Sequence, residues 1–222
     1  MLANLKSIFF CSFVISASVM SAGDYINDFS DSGINLSKVG RGECKIAGGV
    51  LRTKGAYALL GDGSWKDYTL SFRARVPEDA DQVQIWSGFR TANRFDRYVL
   101  GIKGGLQDDV YLFRSGYMGT DEFMGVRPLG FHPVPGEWLD VKVQVCGQRI
   151  RVFINGSDKP YIDIVDKNGE GMAPAGAIAL GGGWITAEYD DVRVTPLDSD
   201  ALDGVGREEM NFGLTPEQKE SK

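Results

Sequence analysis

Tyr68-Thr69-Leu70-Ser71-Phe72-Arg73-Ala74-Arg75-Val76 alternates apolar and polar side chains without a slip. A period of two puts Tyr68, Leu70, Phe72, Ala74 and Val76 on one face of a strand and the polar set on the other. Leu139, Val141, Val143 and Val145 repeat the pattern against Asp140, Lys142 and Gln144. After a Cys-Gly-Gln link comes Arg149-Ile150-Arg151-Val152-Phe153-Ile154, and Asn155-Gly156 then supplies a favoured hairpin turn. Segments 56–60, 83–90, 98–102, 110–114, 161–165, 177–180 and 187–194 read as further short strands, each bounded by Gly, Asp, Asn or Pro. No stretch before the C-terminal tail carries a 3.6-residue apolar stripe. About a dozen antiparallel strands at this spacing predict an all-β fold, a two-sheet antiparallel β-sandwich.

The composition agrees with that class. Glycine makes up 29 of 222 residues, nearly twice the average usage of about 7%. Turns and close sheet packing absorb it, because neither Gly104-Gly105 nor Gly181-Gly182-Gly183 is followed by a helix that would cradle phosphate. A net charge of -6 without a clustered Lys/Arg stripe argues against a nucleic-acid surface. His132 is the only histidine, which excludes any site built on two imidazoles.

Residues 1–22 have the layout of a secretory signal: Lys6, then an apolar run over residues 8–19, then small Ser21 and Ala22. The run is too short to span a bilayer comfortably, so no transmembrane segment is expected in the mature chain. The expected location is periplasmic, extracellular or at the cell surface. Cys11 would leave with the signal, and Cys44 and Cys146 would remain as a pair in an oxidising compartment. Two readings of that pair stay open: a disulfide, or two thiols packed as small hydrophobes. Residues 23–197 form the expected sandwich domain and 198–222 a polar tail or linker. In the tail, Thr215-Pro216-Glu217-Gln218 reads as the start of a short helix, cut off before it could hold itself.

Several segments, taken in order, carry a family resemblance: Gly63-Ser64-Trp65-Lys66-Asp67-Tyr68, Ser87-Gly88-Phe89-Arg90, Arg97-Tyr98-Val99-Leu100-Gly101-Ile102, Gly136-Glu137-Trp138-Leu139, Val152-Phe153-Ile154-Asn155-Gly156 and Tyr189-Asp190-Asp191-Val192. The order resembles the concanavalin A-like, or laminin G-like, jelly rolls. It is most similar to the 3-keto-disaccharide hydrolase family, also described as family-16-like glycoside hydrolase domains, over residues 24–196. That resemblance implies a jelly-roll sandwich acting on carbohydrate, either as a binding module or as a glycoside hydrolase. In family-16 enzymes a catalytic strand carries Glu, Asp and a second Glu. Here Glu188 and Asp190 share a strand face, but Val192 and Arg193 stand where the second Glu would fall, so the catalytic set does not carry over. Jelly-roll carbohydrate modules often hold a structural Ca²⁺, and the resemblance nominates Asp28, Asp190 and Asp191 as its ligands.

The residues point to sugar independently. Pyranose rings offer apolar C–H patches rimmed by hydroxyls, which suit aromatic faces beside planar polar groups. In Gln84-Ile85-Trp86-Ser87-Gly88-Phe89-Arg90, parity turns Trp86 and Arg90 away from Ile85 and Phe89. Tyr111 and Arg97 follow by the same rule, and Trp184 sits after three glycines. The expected ligand-binding set is therefore Trp86, Arg90, Arg97, Tyr111 and Trp184. The expected function is a secreted carbohydrate-binding module for oligo- or polysaccharide, accessory to a further catalytic module. A glycoside hydrolase and a laminin G-like protein-interaction domain are the alternatives.

Overall fold

The computed structural model describes residues 24–34, 36–61, 63–93, 96–115, 121–167 and 172–197. The expected signal and tail helix lie outside the described residues. Thirteen strands and no helix are found among those residues: β1 (Tyr25–Asn27), β2 (Ser37–Ala47), β3 (Val50–Leu60), β4 (Tyr68–Arg75), β5 (Val83–Asn93), β6 (Asp96–Gly104), β7 (Asp109–Ser115), β8 (Asp121–Pro128), β9 (Leu139–Cys146), β10 (Arg149–Ile154), β11 (Ile162–Val165), β12 (Ala177–Gly181) and β13 (Ala187–Pro196).

All pairings are antiparallel, in the order β11-β10-β9-β4-β13-β3-β12-β5-β6-β7-β8, with β1 beside β13 and β2 beside β3. The path doubles over on itself at β13. Ala187–Tyr189 pair with β3, a bulge follows between Asp190 and Arg193 where Asp191 takes φ +49°, and the rest of the strand runs between β4 and β1. The halves then close face to face. Tyr161 Oη just before β11 donates to the carbonyl of Leu129 just after β8 (3.0 Å), and Tyr98 Oη on β6 donates to Asp166 after β11 (2.8 Å). Between the layers lie the alternating apolar residues of both: Leu70, Phe72, Val143, Ile150 and Val152 from one, Ile85, Phe89, Leu100, Ile102 and Leu112 from the other.

On β4, buried and half-buried residues alternate for the whole strand, as its sequence dictates. One predicted local detail differs. Asn155 and Gly156 do take positive φ (49° and 66°) and close a turn, Ser157 N to Ile154 O, but β11 resumes only at Ile162. Two-residue links instead join β2 to β3 at Gly48-Gly49, β5 to β6, where Asn93 pairs with Asp96, and β9 to β10 at Gly147-Gln148.

Of the two readings left open for Cys44 and Cys146, the structure takes the second: both are free thiols. Cys44 is opposite Thr53, which is opposite Ala187, past the end of β4 at Arg75, whereas the residue after Cys146 reaches Asp67, before that strand begins. The eight residues of β4 separate the two levels by about 26 Å, against the 4.4–6.8 Å Cα span a disulfide requires. Alkylation in denaturant without prior reduction should therefore label the tryptic peptides of both cysteines; an unlabelled pair would contradict the strand order. In the folded protein Cys44 should react slowly, because burial pushes its thiol up to about 11.

Burial also raises the phenols of Tyr68, Tyr98 and Tyr189 above the ordinary tyrosine range. In the unfolded chain these phenols ionise near pH 10. The stability their neutral forms contribute is thus fully present below that pH and is lost as pH rises past it. Melting temperature followed by circular dichroism should be level from pH 8 to about 9.5 and fall steadily above pH 10. A flat curve to pH 11.5 would refute this.

Candidate functional site

The core residues Ile85, Ile102 and Val110 of β5, β6 and β7 leave their neighbours Trp86, Gly101 and Tyr111 on the outer face of that sheet. Register brings these into one cross-strand row: Tyr57 opposite Gly181, then Trp86 opposite Gly101 opposite Tyr111. The Trp86 indole lies along the sheet over ground left free by glycine. A Cβ on Gly101 would sit 2.4 Å from Cζ3 of the ring, and one on Gly183 would sit 2.7 Å from Cδ1. The ring therefore spans from the loop after β12 to β6, and stays partly exposed.

The Trp86 backbone is fixed from beneath. Tyr189 on β13, fully buried, donates from Oη to the Trp86 carbonyl (2.7 Å) and accepts from the Trp86 N–H (3.3 Å). β12 supplies no paired residue for Trp86 there, since its ladder with β5 ends at Leu180–Ser87. The phenol stands in for a missing ladder bond.

Around the indole, Phe113 lies 6.0 Å away and stacks on Tyr111 at 6.1 Å, with Phe123 4.3 Å from Phe113. Lys103 Nζ is held between two ring faces, 5.4 Å from Trp86 and 5.1 Å from Tyr111. Arg97 lays its guanidinium over the Tyr57 ring at 4.4 Å. Tyr111 donates its hydroxyl to Asp109 (3.1 Å); burial first, and this bond second, raise its phenol. Trp184, 83% exposed, adjoins the row through Gly183.

Of the five residues expected to bind ligand, the structure places Trp86, Tyr111, Arg97 and Trp184 along this face. Arg90 is elsewhere. A bulge breaks the β5 register after Phe89, and Arg90 takes φ +46°, which reverses its parity. It is 4% exposed and its fork is consumed inside the fold: Nη1 donates to Gly147 O (2.6 Å), Nε to Lys66 O (2.9 Å) and Nη2 to Asp67 (2.9 Å). Residues 66–68 and 147 of the other layer thereby tie to β5, making Arg90 a clamp between layers. Tyr57 and Lys103 were not anticipated, whereas strand parity does turn Phe113 to the same face as Tyr111.

Glu188 and Asp190 do share a face, but both are spent. Glu188, its side chain 9% exposed, meets Arg52 through Oε1 (3.1 Å) and Arg75 through Oε2 (2.8 Å). Arg73 engages Asp190 (2.9 Å) and Asp191 (2.6 Å), and Trp138 packs under Arg73 and Arg75 at 5.0 and 4.4 Å. Neither oxygen of Glu188 is available to a glycosidic oxygen, so the pair does not fit the two-carboxylate chemistry of glycoside hydrolysis. The expected calcium ligands do not fit a cation either. Asp190 and Asp191 already neutralise a guanidinium, and Asp28 caps its own turn through Ser30 N and Oγ, bonds that hold its carboxyl below the usual range. No group of three His, Cys, Asp or Glu side chains placed to hold a metal occurs among the described residues.

His132 is on an exposed loop with Nδ1 3.0 Å from both oxygens of Asp108, whose carboxyl it lowers. The pair borders an open hollow lined also by Gln107, Asp109, Pro128 and Phe131, and no hydroxyl or thiol nucleophile is among its lining residues.

No family model matches the chain, and no curated protein matches it in sequence. Solved structures do match in fold. The carbohydrate-binding module CBM66 from Bacillus subtilis is 16% identical with a TM-score of 0.54, covering 79% of this chain and 97% of its own. A Bacillus licheniformis β-glucanase is 12% identical with a TM-score of 0.58, covering 80% and 100%. The exoplasmic/lumenal domain of VIP36, in a Ca²⁺- and mannose-bound form, is 12% identical with a TM-score of 0.59, covering 78% and 89%.

Proposed function

We propose that this all-β domain of concanavalin A-like jelly-roll fold is a secreted carbohydrate-binding module, accessory to a polysaccharide-degrading protein, that holds oligo- or polysaccharide on the outer face of β12-β5-β6-β7. The observation carrying this reading is the Trp86 indole laid over Gly101 and Gly183, partly exposed and continuous with Tyr111. Such a surface presents a ring face to the C–H patch of a sugar, while Lys103, Arg97 and Gln84 supply donors to its hydroxyls. The names of similar folds, a carbohydrate-binding module and a mannose-bound lumenal domain, lend support of the same kind. Binding is favoured over hydrolysis because Glu188 and Asp190 are committed to arginines.

The test is a polysaccharide panel run with a reducing-sugar assay. Retention on at least one polymer with no product released is the expected result. Product formation that disappears in Glu188→Gln would support a glycoside hydrolase instead, and a chain that retains no polymer but captures a protein would support an interaction domain.

A further inference from the structure

A second depression opens on the outer surface at the other end of β3, about 200 Å³ in volume and lined by Glu43, Lys45, Arg52, Thr53, Lys54 and Thr186. Register builds it. Lys45 is opposite Arg52, which is opposite Glu188, which is opposite Arg75, and Glu43 is opposite Lys54.

The charges there do not cancel. The single carboxylate of Glu188 is shared by Arg52 and Arg75. Glu43 meets Lys45 at 3.5 Å. Lys54, exposed, has no acidic partner among the described residues. A pocket with excess positive charge stands out on a chain of net charge -6, and it attracts anions over roughly a Debye length, about 10 Å at 0.1 M salt.

The depression is joined to the aromatic row. Lys54 and Tyr57 lie on one strand, three residues apart across the Gly55 bulge, which is about 10 Å. Gly55 N donates to Gly183 O (2.7 Å), so the loop carrying Trp184 borders both, and Thr186 continues that loop into the pocket. From Tyr57 the row runs on through Trp86 to Lys103 and Tyr111.

We infer that this pocket receives the anionic group, a carboxylate or a sulfate ester, of an acidic polysaccharide whose sugar rings lie on the Trp86 face. The inference rests on the saccharide-binding reading above and names its ligand class.

The full chain is assayed by affinity electrophoresis against four probes: polygalacturonate, its methyl ester, a sulfated galactan and the same galactan desulfated. At least one acidic polymer should bind more tightly than its neutral partner, by about tenfold for two exposed lysine contacts, and the preference should shrink at 1 M salt. Lys45→Gln/Lys54→Gln should remove that preference and leave the weaker neutral binding unchanged. Polygalacturonate alone preferred identifies a carboxylate, the sulfated galactan alone a sulfate ester. Equal binding of acidic and neutral polymers, or an acidic preference untouched by the double substitution, overturns the inference while the saccharide reading stands. Binding of none of the four, together with failure of the wider panel, overturns both.

Discussion

Arg90→Ala should destabilise the domain by about 3 kcal/mol, the lower end of the cost of breaking a buried ion pair, because Asp67 keeps partial access to water. For a domain of this size that is a fall of roughly 6–12 °C in melting temperature. The substitution strands the carbonyls of Lys66 and Gly147 and leaves Asp67 only its bond from the Gly147 N–H, and all three belong to the layer opposite β5. Arg90→Lys keeps the charge but cannot fill three acceptors with a planar fork, so it should fall between alanine and the parent. Below its melting point, Arg90→Ala should bind polysaccharide as the parent does. A variant that melts normally but loses binding would make Arg90 a ligand residue and refute the clamp.

Trp86→Ala should have the larger effect on binding. Truncating a central aromatic anchor costs 2 kcal/mol or more, a loss of about 30-fold in affinity. The domain should stay folded, since the Trp86 N–H and carbonyl are held by Tyr189 whatever the side chain. Gly101→Val is the sharper companion, because it leaves the indole in the chain and removes only its seat. With a Cβ 2.4 Å from Cζ3, the ring must lift from the sheet, and binding should fall nearly as far. Thermal melts on both variants separate lost binding from lost fold.

The strands that alternate cleanly, β4 and β9, were legible in the sequence because one face of each is core and the other is not. β2 was not legible. Its first half is polar, mostly exposed and interrupted by Gly40 and Gly42, and only Glu43-Cys44-Lys45-Ile46 alternates, with Cys44 and Ile46 turned to the core, a run too short to signal an eleven-residue strand. β8 likewise begins Asp-Glu and buries only its middle. Parity placed Trp86 and Tyr111 on one face correctly, and failed at Arg90 because a single bulge residue with positive φ inverts everything after it. Glu188 and Asp190 were read on one face, as they are, but their arginine partners come from β3 and β4, more than a hundred residues earlier. Long-range register of that kind has no local signature. The cysteine pair stayed open between a disulfide and free thiols for the same reason: two cysteines carry no information about which ends of which strands they occupy.

The four tryptophans report on different parts of the molecule. Trp65 is in the core, Trp138 packs beneath Arg73 and Arg75 on the other sheet, Trp86 is the proposed platform, and Trp184 is on the adjoining loop. Titrating ¹⁵N-labelled protein with an oligosaccharide of the retained polymer, while following the four indole N–H signals, tests the central claim directly. The account predicts that the Trp86 signal moves furthest, Trp184 moves with it, and Trp65 and Trp138 stay in place. Movement of Trp138 with Trp86 unchanged would put the ligand on the opposite sheet and contradict it.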